Sequence, residues 1–213
     1  MSDLRPSNID GAKHAGAILI LRVRRLRQVW PPVKIIFRGD GGFCRRRILS
    51  WCESHDVDYV VGTAKDNRLL DKAGHLIRGA KERFEDTQHK QRRFGWVGYA
   101  AQTWTRSRRI IVKAEHTEQG SNPRFVVTTL DGDPQDLYDR LYCARGEREN
   151  RIKEQFQLFS DRTSCHRWWP NQFRLLLASC AYVLVETIRS IGLKHTRLAQ
   201  AQVNTIREKP QKP

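Results

Sequence analysis

Two short segments carry acidic and basic side chains at spacings that could support chemistry. In the first, RGDGGFCRRRILSWC (38–52), Asp40 follows a short apolar run and precedes two glycines. An aspartate at a strand end, followed by glycines, leaves its carboxylate open to the approach of a metal ion. The alternative is an ordinary Asp-Gly turn. The spacing differs from the G-x-G-x-x-G of a dinucleotide-binding loop, so that class of site is not predicted.

The second segment, LYCARGERENRIKEQ (141–155), predicts a helix with a polar face. Four of its residues are three or four positions apart and therefore project from one side: Tyr142, Arg145, Glu149 and Lys153. The alternative is a solvated helix with two surface ion pairs, each contributing about 0.3–0.5 kcal/mol. Taken alone, the first segment favours an ordinary turn and the second a solvated helix. Only the two segments together indicate a functional site.

The surrounding pattern predicts the elements that position these residues. A helix over 13–30, a strand Val33–Arg38, a second helix and a strand Val57–Val61 follow one another, which is typical of a parallel α/β layer. Functional side chains gather at strand ends in such layers. Later elements are expected as a helix over 69–84, antiparallel strands within 94–104, 109–115 and 124–130, and helices over 136–159 and 171–191. We expect the first two strands to be parallel neighbours and residues 94–130 to form a separate sheet.

Composition indicates the partner and the compartment. The 213 residues carry a formal net charge of +16, which favours a polyanion, nucleic acid before membrane. Five cysteines without a C-x-x-C pair, and a polar start without a secretory signal, predict free thiols in the cytoplasm. Cys52 and His55 lack the other two ligands of a structural zinc site. The most apolar run, Leu175–Val185, is about half the length that a bilayer requires, so no membrane span is predicted.

Taken in order, four segments resemble the DDE-domain transposases (group 1) of bacterial insertion sequences: RGDGGFCRRRILSWC, VDYVVGTAKDNRLL, YCARGERENRIKEQ and DRTSCHRWWPNQFRLLLASCAYVLVETIR. The resemblance covers nearly the whole chain. It implies an α/β fold with an RNase H-like core, interrupted by a β-rich insertion and followed by C-terminal helices. The implied divisions are a partial core (1–64), the insertion (65–135), a core helix with the catalytic glutamate (136–160), and a C-terminal helix with a basic tail (161–213).

The resemblance implies metal-dependent DNA strand cleavage and strand transfer. By position, Asp40 matches the second catalytic aspartate and Glu149 the catalytic glutamate, and both would bind Mg²⁺ or Mn²⁺. Two such ions, about 3.5–4 Å apart, can activate the attacking oxygen and stabilise the leaving oxygen. Magnesium prefers carboxylate oxygens and keeps several waters. A few acidic side chains therefore suffice.

The resemblance also assigns DNA-binding residues. Tyr142 and Arg145 match a tyrosine–x2–arginine–x3–glutamate signature, in which the arginine would contact a DNA phosphate. Related families carry a lysine at the place of Phe156, so Lys153 is the nearest basic candidate for that role. The implied partners are the transposon ends and the target DNA. A homodimer in the synaptic complex is compatible with this, and the expected location is the cytoplasm of a bacterium, associated with the nucleoid.

The family's first catalytic aspartate would lie on a strand before the start of this chain. Asp3 could replace this aspartate only from a different strand of the core than the one that carries it in the family. We therefore expect an N-terminally truncated catalytic core that does not cut DNA by itself. Two alternatives stay open: a non-catalytic DNA-binding remnant with the same fold, and a metal-dependent nuclease on a related core.

Overall fold

The chain forms two compact units. The computed structural model describes residues 9–158 and 164–208, with the backbone but not the side chains of residues 145–149. Asp10–Ala144 form the first unit, called the sheet unit below. Met1–Ile9 and Arg145–Pro213 belong to the second, the helical unit. The divisions implied at residues 64, 135 and 160 stay predictions.

The sheet unit alternates helices and strands before it becomes mainly β. Its helices are α1 (Ala15–Val29), α2 (Arg46–Ser54), α3 (Asn67–Lys72), α4 (Gly74–Thr87) and the short α5 (Pro134–Asp136), followed by a π-helix (Leu137–Tyr142). Its strands are β1 (Ile36–Gly39), β2 (Asp58–Thr63), β3 (Gln91–Tyr99), β4 (Arg108–Thr117), β5 (Gly120–Ser121) and β6 (Arg124–Thr128). The predicted α/β class is confirmed, and the arrangement is consistent with an RNase H-like core.

All of these strands belong to one sheet, in the order β1-β2-β6-β4-β3, with β5 paired to β4. Strands β1 and β2 are parallel neighbours, as predicted. The separate antiparallel sheet was a wrong expectation, because β6 pairs directly with β2 from Val60↔Thr128 to Thr63↔Phe125. The physical reason is burial: Val60 and Val61 are both fully buried, so the second edge of β2 needs a partner for its backbone groups.

Helices cover one face of this sheet. The core on that side includes Ile48, Leu49 and Cys52 of α2. The single helix expected over 69–84 is two helices that meet at Ala73. Asp66 caps the first of them, where its Oδ1 accepts a hydrogen bond from the Leu69 N–H at 2.8 Å.

The helical unit contains α6 (Arg145–Phe156), α7 (Trp168–Thr187), a π-helical turn (Ile188–Gly192) and α8 (Val203–Glu208). By length and composition alone, the continuous helix Trp168–Gly192 could span a membrane, a test that core helices of water-soluble proteins also pass. This helix is longer than the apolar run Leu175–Val185, because polar residues such as Asn171 and Gln172 precede the run within the same helix.

Candidate active site

Asp40 lies at the carboxyl end of β1, where it forms the turn and also faces a cavity. Its Oδ1 accepts a hydrogen bond from the Gly42 N–H at 2.9 Å and caps the 3₁₀ turn Gly41–Phe43. The half-buried Asp40 also lines a cavity of about 630 Å³. The cavity, called the Asp40 cavity below, is also lined by Gly62, Lys65, Lys113, Glu115, Arg124 and Tyr142. The role of Asp40 in an Asp-Gly turn is thus compatible with its predicted role as a metal ligand.

Tyr142 is the second predicted site residue in this cavity. It ends the π-helix and packs its hydroxyl against Gly62, the penultimate residue of β2. A Cβ on Gly62 would lie 2.5 Å from the Tyr142 hydroxyl oxygen and 3.2 Å from the Gly41 nitrogen. A side chain at this position would therefore displace the Tyr142 hydroxyl. The structure brings Tyr142 and Asp40 together although 102 positions separate them in the sequence.

Arg38 anchors this arrangement and was not predicted as a site residue. Its guanidinium donates a hydrogen bond to the Leu141 carbonyl oxygen at 2.5 Å. This contact joins β1, two residues before Asp40, to the π-helix, one residue before Tyr142. The only signal in the sequence was an arginine within an otherwise apolar strand, which also suits a solvent-facing position.

The other wall residues include a compact group of charges. Glu115 forms ion pairs with Lys90 at 2.8 Å and with Lys113 at 2.9 Å. Burial raises the pKa of Glu115, but the two adjacent lysine ammonium groups more than offset this and hold the pKa below its usual value. Glu115 is therefore ionised near neutral pH. Arg124 lies directly opposite Lys113 in the β4–β6 pairing.

The remaining predicted residues are on α6, in the helical unit. The helix predicted over 136–159 is confirmed only over Arg145–Phe156. Tyr142 instead ends the preceding π-helix, because a turn at Cys143 and Ala144 interrupts the helical backbone, so it does not share a face of α6 with Lys153. The side chains of Arg145 and Glu149 lie outside the described part of the chain. The convergence of Asp40 and Glu149 on one metal position therefore stays a prediction. Lys153 is exposed and lines a separate cavity of about 260 Å³ within the helical unit, beside Glu154. Phe156 is 44% exposed.

Among the described side chains of residues 9–144, 150–158 and 164–208, no group of three or more histidine, cysteine or acidic residues could hold a metal ion. Of the two predicted metal ligands, Asp40 and Glu149, the structure describes the side chain of Asp40. All five cysteines are free thiols, as predicted. Burial raises the pKa of Cys52 to about 12, so this thiol stays protonated. Asp3, the considered substitute for the first aspartate, lies outside the described residues.

The comparison with known proteins agrees with the motifs. The family described as "Transposase DDE domain group 1" matches residues 1–210. The chain belongs to this transposase family. No individual curated protein matches it significantly. Transposases act on DNA, and those of the DDE type generally use divalent metal ions. The positive charge of this transposase is consistent with such a substrate.

Proposed function

We propose that this transposase chain is part of a catalytic core that cuts DNA at transposon ends and joins the ends to target DNA. The observation that supports this most directly is the position of Asp40. It ends a core strand and lines a polar cavity that also holds Tyr142, the first residue of the family signature. The proposal includes both DNA partners, a homodimer in the synaptic complex, and association with the bacterial nucleoid.

The proposed metal ligands are Asp40 and Glu149, and the proposed ion is Mg²⁺ or Mn²⁺. The donor chemistry fits, because carboxylate oxygens suit these hard cations and Asp40 faces a polar, open cavity. When bound, such ions supply activation of an attacking oxygen and neutralisation of charge at the phosphate. The chain's own residues would bind and orient the DNA. Arg145 would contact a phosphate, Tyr142 would position the strand, and Lys153 is the candidate for the basic residue that follows the glutamate.

Mn²⁺ binding tests the metal site. We would titrate the 213-residue chain with Mn²⁺ and follow the free-ion signal by electron paramagnetic resonance. Asp40→Asn and Glu149→Gln should each weaken binding at least about tenfold, because each removes one of few charged ligands. Asp86→Asn is the matched control, since Asp86 is an exposed aspartate of α4. Equal Mn²⁺ affinity in Asp40→Asn and Asp86→Asn would contradict the proposed site.

Labelled DNA with a free 3′-hydroxyl end distinguishes the proposal from its two alternatives. Joined products that form with Mg²⁺ or Mn²⁺ and disappear in Asp40→Asn would support a transposase core. Hydrolysis without joining would indicate a metal-dependent nuclease. Binding of both DNA and Mn²⁺ without either product would match the expectation that this chain does not cut DNA by itself, whereas DNA binding without Mn²⁺ binding would indicate the non-catalytic remnant.

A further inference from the structure

The wall of the Asp40 cavity carries two cations placed in an unusual way. Lys113 of β4 and Arg124 of β6 are directly opposed partners in the antiparallel register. Like charges at directly opposed positions destabilise a strand pair. Within the part of the chain whose side chains are described, no carboxylate forms an ion pair with the exposed Arg124. An external anion between or beside these two side chains would remove the repulsion.

Lys113 is held in place rather than left to move in solvent. Its side chain is 12% exposed, and its ammonium lies 2.9 Å from Glu115 and 5.7 Å from the ring centre of Tyr138. Glu115 is shared with Lys90, so two ammonium groups face one carboxylate and positive charge remains. A preorganised cation of this kind binds an anion at a lower entropic cost than a free surface lysine.

The position of the pair indicates which anion is bound. Both side chains line the same 630 Å³ cavity as Asp40, a volume within the usual range of ligand sites. They lie on the sheet face opposite helices α1–α4, because Val112 packs into the core under those helices and neighbouring residues of a strand alternate between faces. An anion held there would share the cavity with the proposed metal ligand, as a phosphodiester next to the one at Asp40 would.

We propose that Lys113 and Arg124 form a phosphate clamp that binds one phosphodiester of the DNA strand at Asp40. The identity of this ligand rests on the proposed function, whereas the anion site rests on the charges alone. Glu115 is a positioning residue for Lys113 and does not itself touch the phosphate. Lys65, which donates to the Asn122 side-chain oxygen at 3.4 Å, lies on the same wall and adds to the positive potential.

The test measures DNA binding without metal, so it does not depend on cleavage. A fluorescently labelled duplex is titrated in EDTA at several salt concentrations, and log affinity is plotted against log salt. Loss of one phosphate contact should reduce the slope by about 0.9. We expect this reduction for Arg124→Gln and for Lys113→Gln. Arg83→Gln is the matched control, because Arg83 is an exposed arginine of α4 on the other side of the sheet.

Thermal unfolding separates a binding role from a structural one. Arg124→Gln should keep or raise the unfolding temperature, because it removes the like-charge opposition, while it lowers DNA affinity. The proposal is overturned if Arg124→Gln leaves the salt slope unchanged like Arg83→Gln, or if it lowers the unfolding temperature together with DNA affinity. Inorganic phosphate could stabilise the wild-type chain but not Arg124→Gln while both chains show the same salt slope for DNA. In that case the site binds an anion, and the proposal that it binds DNA is overturned. A reduced slope in a chain that never cuts DNA would support the clamp and contradict only the catalytic proposal.

Discussion

The contact between Gly62 and Tyr142 gives the sharpest prediction about the site. In Gly62→Ala the new Cβ would lie 2.5 Å from the Tyr142 hydroxyl oxygen, whereas ordinary contacts begin near 3.4 Å. The hydroxyl must therefore move by about 1 Å, or β2 and the Asp40 turn must separate. Overpacking of this kind costs about 1–3 kcal/mol. Alanine also restricts the unfolded chain more than glycine does, which stabilises the folded state by about 0.4–1 kcal/mol. We expect a net loss of about 1–2 kcal/mol in the free energy of unfolding.

A double-mutant cycle assigns this loss to the hydroxyl. Tyr142→Phe removes the atom at 2.5 Å and leaves ring carbon Cζ at 3.4 Å, an ordinary contact. In the Gly62→Ala background it should therefore recover about 1 kcal/mol, which is a measurable coupling energy. The assay is urea unfolding of the four variants, followed by tryptophan fluorescence. Gly98→Ala in β3 is the control, because its Cβ would meet nothing closer than 3.5 Å.

Two results would refute this reasoning. Gly62→Ala could be as stable as Gly98→Ala, in which case Tyr142 does not pack against β2 as described. Alternatively, Tyr142→Phe could add to the loss instead of relieving it, in which case the hydroxyl contributes a bond that outweighs the clash. In either case the placement of Tyr142 in the Asp40 cavity would have to be revised.

Three further predictions follow from contacts in the sheet unit. Glu53→Gln should cost about 3–5 kcal/mol at neutral pH by leaving the buried Arg108 guanidinium uncompensated. Burial raises the pKa of Glu53, but hydrogen bonds led by Arg108 have the larger effect and hold the pKa below its usual value. The stability that ionised Glu53 contributes is therefore present above its unfolded pKa and should be lost as the pH falls through its folded pKa. Equal losses from Glu53→Gln at pH 7 and pH 3 would contradict this. Arg38→Met should cost about 1.5–3 kcal/mol and speed hydrogen exchange in the π-helix, whereas unchanged exchange would contradict the anchor. A disulfide reagent should modify exposed Cys180 quickly and buried Cys52 only on unfolding, and equal rates would contradict the burial.

Local patterns in the sequence were sufficient for the elements that carry the site. Short runs of β-branched and aromatic residues predicted β1 and β2, and the glycines after Asp40 predicted the turn that it caps. The three- and four-residue spacing after Leu141 predicted helix α6. These predictions succeeded because strand and helix periodicity are properties of neighbouring residues. The family resemblance, which combines several such segments in order, was confirmed for the same reason.

Tertiary structure alone decided how these elements meet. The pairing of β6 with β2 joins segments about 65 residues apart in the sequence. The alternation of side chains along a strand does not determine which other strand it pairs with. The approach of Tyr142 to Gly62 and the opposition of Lys113 to Arg124 in the β4–β6 register are likewise set by the tertiary structure. A one-residue shift in register would turn Lys113 towards the helices and remove the cation pair from the cavity, since side chains alternate between the two faces of a sheet. The sequence thus determined the elements and the carboxylate at the strand end, and the long-range register determined which side chains surround it.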